Sequence, residues 1–94
     1  MTLRVVAHIT PKPGKGEELK AVLLALIAPT RNEEGCISYE LYKDIESGHF
    51  TFIEEWTSGA ALDEHFETEH IKTALAAFKE LAEELDVRKY EVIG

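Results

Sequence analysis

Two kinds of hydrophobic pattern alternate along this chain of 94 residues, and their order restricts the folds that it can adopt. Four segments are rich in Val, Ile, Leu and aromatic residues, which is typical of β-strands. Two longer segments repeat apolar residues every three or four positions, which is typical of amphipathic helices. The resulting order, β-α-β-β-α-β with a broken second helix, predicts a ferredoxin-like α+β fold. In that fold, helices cover one face of a four-stranded antiparallel sheet.

Residues that break regular structure set the predicted limits of these elements. The strands are expected at residues 2–10, 36–43, 49–56 and 86–93. The first helix should begin at Lys15, after a Pro-Lys-Pro-Gly break, and Pro29 should kink it or end its regular part near Ala28. Ser58 is the expected N-cap of a short helix at residues 59–67.

The last helix is predicted from an apolar stripe that follows Glu69. Its members are Ile71, Leu75, Phe78, Ala82 and Leu85. This spacing predicts a helix that continues to Leu85, directly before the last strand.

Alternate residues of a strand point to opposite faces of the sheet, and the first three strands have apolar residues on both faces. One face has most of them, and the second face has Val6, Tyr42 and Ile53. A sheet with one solvated face should alternate more cleanly between apolar and polar residues. We therefore expect the second face to pack against another copy of the chain, forming a homodimer.

The composition limits the classes of function. A formal net charge of −8 argues against sequence-independent nucleic-acid binding, which depends on Lys and Arg at phosphates. No apolar run reaches the roughly 18 residues of a membrane helix. Cys36 is the only cysteine, so no internal disulfide is possible, and no export signal precedes the first strand. We expect a single domain at residues 1–94, located in the cytoplasm, with no nucleic-acid or membrane partner.

The candidate functional residues concentrate in residues 53–70, which predict a strand, a Ser/Gly turn and a short helix. Glu54 and Glu55 lie near the end of the strand, while His65 lies near the end of the helix and His70 just beyond it. An apolar pocket with a few convergent polar groups is the usual form of a small-molecule site. One of the two glutamates should face inward, where a hydrogen bond to a histidine would hold its tautomer.

Each candidate also has a purely structural interpretation. The imidazoles of His65 and His70 could satisfy backbone groups at a helix junction as well as serve as bases in a cavity. Trp56 is expected to be a core residue first, although its indole could also be a flat wall for an aromatic substrate. His49, at the hairpin, should be solvated. A metal site is disfavoured because the two candidate histidines are five residues apart and no third His or Cys joins them at a recognisable spacing.

Four stretches, at residues 31–40, 52–56, 61–66 and 68–72, resemble the antibiotic biosynthesis monooxygenase domain. They contain the elements E-G-C-I-S-Y, E-E-W and H-x-x-x-x-H in this order. Within that superfamily the chain is most similar to the small bacterial quinol monooxygenases. The resemblance covers essentially the whole chain. It implies a dimeric α+β barrel, in which two ferredoxin-like protomers pack sheet against sheet, with a cavity in each protomer between sheet and helices.

The resemblance also implies a function. Characterised members oxidise quinols or polycyclic phenols with molecular oxygen and without metal, flavin or nicotinamide, so no cofactor is expected. The candidate catalytic residues are then His70, His65 and Glu54, and the candidate substrate-binding residues are Trp56, Tyr39, Phe52 and Phe66.

Other functions occur on the same fold, because fold does not determine reaction. One alternative is an isomerase of a small metabolite, with or without a phosphate group, that uses the same His/Glu pair. Another is a non-catalytic dimeric domain that binds a small ligand. Haem cleavage is disfavoured, because Leu75 aligns with the axial histidine of haem-degrading relatives.

Overall fold

The computed structural model describes residues 2–94. Its elements are β1 (Leu3–Pro11), α1 (Gly16–Leu24), α2 (Ile27–Arg31), β2 (Cys36–Lys43), β3 (Phe50–Trp56), α3 (Gly59–Phe66), α4 (Glu69–Leu81) and β4 (Ala82–Tyr90). The four strands form one antiparallel sheet in the order β2-β3-β1-β4. The predicted ferredoxin-like α+β fold is therefore confirmed.

The core lies between one face of the sheet and the helices. Alternate residues of β1 and β3 face it and are 6% exposed or less, namely Val5, Ala7, Ile9, Phe50, Phe52 and Trp56. Leu19 and Leu23 of α1 and Leu62 of α3 are also almost completely buried. Because burying one such side chain contributes about 1.5–3 kcal/mol, these contacts hold the helices against the sheet.

The first helical segment is divided into α1 and α2 by Pro29. The regular part ends at Leu24, earlier than the predicted limit at Ala28. Pro29 has no N–H to donate to the carbonyl of Ala25, and its ring would clash with that carbonyl in a continuous helix. The chain therefore turns at residues 25–26 and restarts as α2, where Pro29 lies in the first turn and its missing N–H leaves no helical bond unmade.

The boundary between α4 and β4 differs from the prediction. The helix ends at Leu81 rather than Leu85, and the last strand is Ala82–Tyr90 rather than residues 86–93. Residues 82–85 favour a helix locally, but they pair with β1 in a register that places Leu85 opposite Ile9. Pairing along the edge of β1 outweighs local propensity here. The backbone N–H of Lys12 also donates to the carbonyl of Leu81 at 2.9 Å, so this carbonyl at the end of α4 has a hydrogen-bond partner.

The second face of the sheet is more polar than the sequence analysis predicted. Val6 and Ile53 are cross-strand neighbours at its centre, and Ile53 is 43% exposed. Charged or titratable residues surround them on the same face, namely Arg4, His8, Glu40, Glu55, Asp86 and Arg88. Among the helices of residues 2–94, none is long and apolar enough to cross a membrane.

Candidate functional site

A small cavity lies between the inner face of the sheet and helices α3 and α4. Its volume is about 40 Å³. It is lined mainly by apolar side chains, namely Ala7, Ile9, Leu26, Phe52, Phe66, Ile71, Ala74, Leu75, Phe78, Leu85 and Val87. The other lining residues are Tyr39, Glu54 and His65, so three polar side chains converge on an otherwise hydrophobic space. This is the composition expected of a small-molecule site.

His65 lies at the cavity and is only 2% exposed. Helix α3 positions it, because Ser58 caps the helix as predicted by accepting a hydrogen bond from the N–H of Ala61 at 3.1 Å. At the other end, the Thr68 hydroxyl donates to the carbonyl of His65 at 2.7 Å. The imidazole packs 4.7 Å from the Trp56 ring, measured between centroids. Caps at both ends of α3 thus restrict the orientation of this side chain.

Glu33 is the principal residue that the sequence analysis missed. Its Oε2 lies 2.7 Å from Nδ1 of His65, and also 2.7 Å from Nε2 of His70. A carboxylate oxygen only accepts hydrogen bonds, so each ring nitrogen that faces it has the hydrogen. In the neutral form of each ring, His65 Nε2 and His70 Nδ1 are then acceptors, and neither has a hydrogen-bond partner within residues 2–94. The role predicted for an inward glutamate of the 54/55 pair is therefore taken by Glu33.

The loop that contains Glu33 is held against α3 by Gly35. The φ angle of Gly35 is +94°, and a Cβ at this position would lie 2.7 Å from Cβ of Ala61. The N–H of Thr57 donates to the carbonyl of Gly35 at 2.8 Å. Only glycine combines this backbone conformation with such a close approach. The one signal in the sequence was that Glu33 falls inside the family-like stretch at residues 31–40.

His70 lies outside the cavity. It is the second residue of α4, and its side chain is 23% exposed. It lines a groove between α1 and α4 with a volume of about 390 Å³. Leu26 and Ala74 line both the groove and the cavity, so they form the wall between the two spaces. Of the two predicted histidines, only His65 contacts the cavity directly.

Glu54 faces the cavity, whereas Glu55 faces the opposite side of the sheet. Glu54 is 5% exposed, and its Oε1 accepts a hydrogen bond from the Trp56 indole at 2.9 Å. Burial raises the pKa of Glu54 to about 7, although the indole hydrogen bond acts in the opposite direction. Glu55 instead accepts a hydrogen bond from Thr2 at 2.7 Å and lies 3.5 Å from Arg4.

The predicted substrate-binding aromatics occupy different positions. Tyr39 and Phe52 stack with ring centroids 4.5 Å apart and line the cavity, as does Phe66. Burial, followed by the nearby Glu54 carboxylate, raises the pKa of Tyr39, so its hydroxyl stays protonated. Trp56 is 0% exposed and is not part of the cavity wall. Trp56 packs in the core and donates a hydrogen bond to Glu54. The rings that line the cavity, and that an aromatic ligand could contact, are those of Tyr39, Phe52 and Phe66.

The cavity is electrostatically unusual because burial shifts the pKa values of both its acid, Glu54, and its base, His65. Burial lowers the pKa of His65 more than the hydrogen bond with Glu33 raises it. Burial raises the pKa of Glu54. Both shifts favour the uncharged form, and the residues that line the cavity include no Lys or Arg. At neutral pH the cavity therefore offers a neutral imidazole and a partly protonated carboxyl group, which suits an uncharged aromatic ligand.

Glu33, His65 and His70 each offer one metal-ligand atom, and these atoms lie within 4.8 Å of one another. Glu33 thus adds a third possible ligand to the two histidines from a different part of the chain, which their spacing in the sequence does not reveal. However, both imidazoles point at one carboxylate oxygen at hydrogen-bond distance. A bound transition metal would need all three atoms directed at a common point about 2.0–2.2 Å away. The arrangement therefore fits shared protons better than a shared cation.

Comparison with known proteins gives a consistent group of relatives. A family model described as antibiotic biosynthesis monooxygenase matches residues 2–77. "Putative monooxygenase Rv0793" of Mycobacterium tuberculosis is 40% identical over 77 residues, which are 82% of this chain and 76% of that protein. "Probable quinol monooxygenase YgiN" of Escherichia coli is 35% identical over 98 aligned positions and covers 92% of this chain and 93% of that protein. The crystal structure of PA3566 from Pseudomonas aeruginosa has a TM-score of 0.94 at 35% identity, covering 99% of this chain and 95% of that chain.

Proposed function

The chain belongs to the antibiotic biosynthesis monooxygenase family, and from this premise we propose that it is a cofactor-independent monooxygenase of a quinol-like or polyphenolic small molecule. The observation that carries the proposal is the cavity-facing His65, with one ring nitrogen bonded to Glu33 at 2.7 Å and the other unpartnered within residues 2–94. A carboxylate that fixes the tautomer of an imidazole is a recurrent way to prepare a general base.

The proposed first step is removal of a proton from a bound phenol. His65 Nε2 accepts this proton, and Glu33 stabilises the imidazolium that results. Because burial lowers the pKa of His65, the imidazole is neutral and able to accept at neutral pH. The hydroxyl of Tyr39 and the protonated form of Glu54 are the groups able to donate hydrogen bonds to the substrate oxygens.

The substrate itself can supply all the electrons. Deprotonation makes the ring electron-rich, and the anion reduces oxygen in one-electron steps. For a quinol with a free ring C–H, the products are a hydroxyquinone and one water. One oxygen atom enters the ring and the other leaves as water, while the quinol loses four electrons. No external reductant appears in this balance. An apolar, water-poor cavity would protect the intermediates from side reactions.

The lining of the cavity and an oxygen-uptake experiment distinguish the monooxygenase from the two alternatives, an isomerase and a non-catalytic binding domain. An isomerase of a phosphorylated metabolite needs cations to hold the phosphate, and the residues that line this cavity include no Lys or Arg. An isomerase of a metabolite without a phosphate group would not consume oxygen when given a quinol. A non-catalytic binding domain would bind the same quinols without consuming oxygen. Measuring both quinol binding and oxygen uptake therefore distinguishes a binding domain from a monooxygenase.

The test is oxygen uptake with a panel of quinols in the presence of a chelator. The wild-type protein should consume oxygen, and His65→Gln should lower turnover by roughly 10²–10⁴-fold, as expected for loss of a general base. His49→Gln is the matched control, because His49 is exposed and does not line the cavity, and it should leave turnover unchanged. Binding of quinols without oxygen uptake, or full activity in His65→Gln, would contradict the proposal.

A further inference from the structure

We propose that Glu33 and His70 regulate the protonation of His65, because one shared carboxylate can balance only one imidazolium at a time. His70 is then a positioning and charge-balancing residue that acts through Glu33. A proton on either imidazole would then disfavour a proton on the other, and the site on His70 faces the groove between α1 and α4. The use of His65 as a base rests on the proposed function, whereas the coupling between the two histidines does not.

The geometry gives the two imidazoles one common partner. Nδ1 of His65 and Nε2 of His70 both lie 2.7 Å from the same oxygen, Oε2 of Glu33. The ring centroids of the two histidines are 6.0 Å apart. The three residues come from the loop after α2, from α3 and from α4, so this contact depends on the folded structure rather than on spacing in the sequence.

The two histidines face different environments. His65 is 2% exposed and lines the internal cavity. The side chain of His70 is 23% exposed and lines the groove. A proton bound at His70 can therefore exchange with solvent, whereas a proton bound at His65 can come from a ligand in the cavity.

Charge balance couples the two protonation states. With both histidines neutral, the group has the single negative charge of Glu33, and one added proton neutralises it. A second added proton would leave two imidazolium rings 6.0 Å apart with only one counter-charge. At the effective dielectric constant of about 20 that suits such pairs, their repulsion weakens binding of the second proton by about a hundredfold.

The groups around His65 also act on its pKa. Besides Glu33, the titratable side chains beside His65 are Tyr39 from β2 and His70 from α4, whose rings lie within 6.0 Å of its ring, and Glu54 from β3, which lines the same cavity. Glu69 also lines the groove beside His70. Burial lowers the pKa of His65, and the charge of His70 lowers it further. The positive charge of a protonated His70 therefore acts together with burial, and against Glu33, to keep the cavity base neutral.

The first arm of the test is an NMR titration of the imidazole nitrogens, which needs no turnover. In His70→Gln, the amide can still donate to Glu33 but cannot bind a proton, so His65 should bind its proton up to about a hundredfold more tightly than in wild type. In Glu33→Gln, His65 should bind its proton more weakly, because the carboxylate that favours its charged form is gone. His49→Gln is the matched control and should leave the His65 titration unchanged.

The second arm is the pH profile of quinol turnover in the same variants. The rise of turnover with pH that reports deprotonation of the base should move to higher pH in His70→Gln, whatever the maximal rate of the variant. If no quinol is oxidised, the proposed function fails while the titration still decides the coupling. A His65 titration that shifts less than about threefold in His70→Gln would overturn the inference. So would one transition-metal ion per chain bound at these residues in the purified protein, since a metal would replace the shared protons.

Discussion

Glu54 is the single acidic side chain among the residues that line the cavity, and its ionisation opposes folding. Burial raises its pKa from 4.5 to about 7. The native state therefore binds this proton more tightly than the unfolded chain does. The resulting stabilisation is fully present below pH 4.5 and is lost as the pH rises through about 7.

This behaviour gives a prediction for Glu54→Gln, which keeps the shape of the side chain but cannot ionise. Wild-type protein should lose up to about 3 kcal/mol of unfolding free energy between pH 4.5 and pH 8 from this group, and the variant should not. Denaturant titrations at pH 5 and pH 8 measure the difference. Glu55→Gln, on the opposite face of the sheet, is the control and should retain the wild-type pH dependence. Parallel curves for wild type and Glu54→Gln would show that burial does not raise this pKa.

At the scale of elements, the break between α1 and α2 supplies part of the cavity wall. The turn at residues 25–26 places Leu26 in the wall between cavity and groove, where it is 4% exposed. The cavity volume of about 40 Å³ admits a few water molecules but is well below the roughly 300 Å³ of a typical small-molecule site. An aromatic substrate therefore requires this wall, or the ring of Phe66 or Phe78, to move.

Removing the wall should favour ligand binding at the expense of stability. Leu26→Ala should join the cavity to the groove and tighten the binding of a quinol, while costing about 2–5 kcal/mol of unfolding free energy. Calorimetric binding and denaturant titration measure the two effects. Leu24→Ala is a matched control, because Leu24 is 50% exposed on α1 and should change neither quantity appreciably. Weaker quinol binding in Leu26→Ala would mean that Leu26 is a contact residue rather than a barrier.

The elements also show where reasoning from sequence succeeds and where it fails. The N-cap role of Ser58 and the order of strands and helices along the chain were predictable, because capping and hydrophobic periodicity are local properties of the sequence. The end of α4 was not, because residues 82–85 are helix formers that pair with β1 only in the folded chain. Glu33 was missed for the same kind of reason. Its two partners lie 32 and 37 residues away in the sequence, and no periodicity connects them.

At the scale of the whole molecule, the second face of the sheet has apolar side chains at its centre and exposed tyrosines on its outer strands. Tyr42 and Tyr90 are each 48% exposed on its outer strands, and Val6 and Ile53 lie at its centre. The charged residues around them include both signs, with Arg4 and Arg88 beside Glu40, Glu55 and Asp86. A face with apolar groups at its centre and mixed charges around it can pair with its own copy about a two-fold axis. We therefore propose a homodimer through this face.

The dimer can be tested by placing a charge at the centre of the proposed interface. Wild-type protein should sediment as a dimer at micromolar concentration, and Ile53→Lys should shift it toward monomer, because two ammonium groups would be brought together and desolvated. Leu24→Lys adds the same charge on the exposed side of α1 and should leave the dimer intact. A wild-type monomer at that concentration would contradict the proposal. A dimer unaffected by Ile53→Lys would place the interface elsewhere. Since the cavity opens on the other side of the sheet, loss of the dimer should reduce quinol turnover only through lower stability.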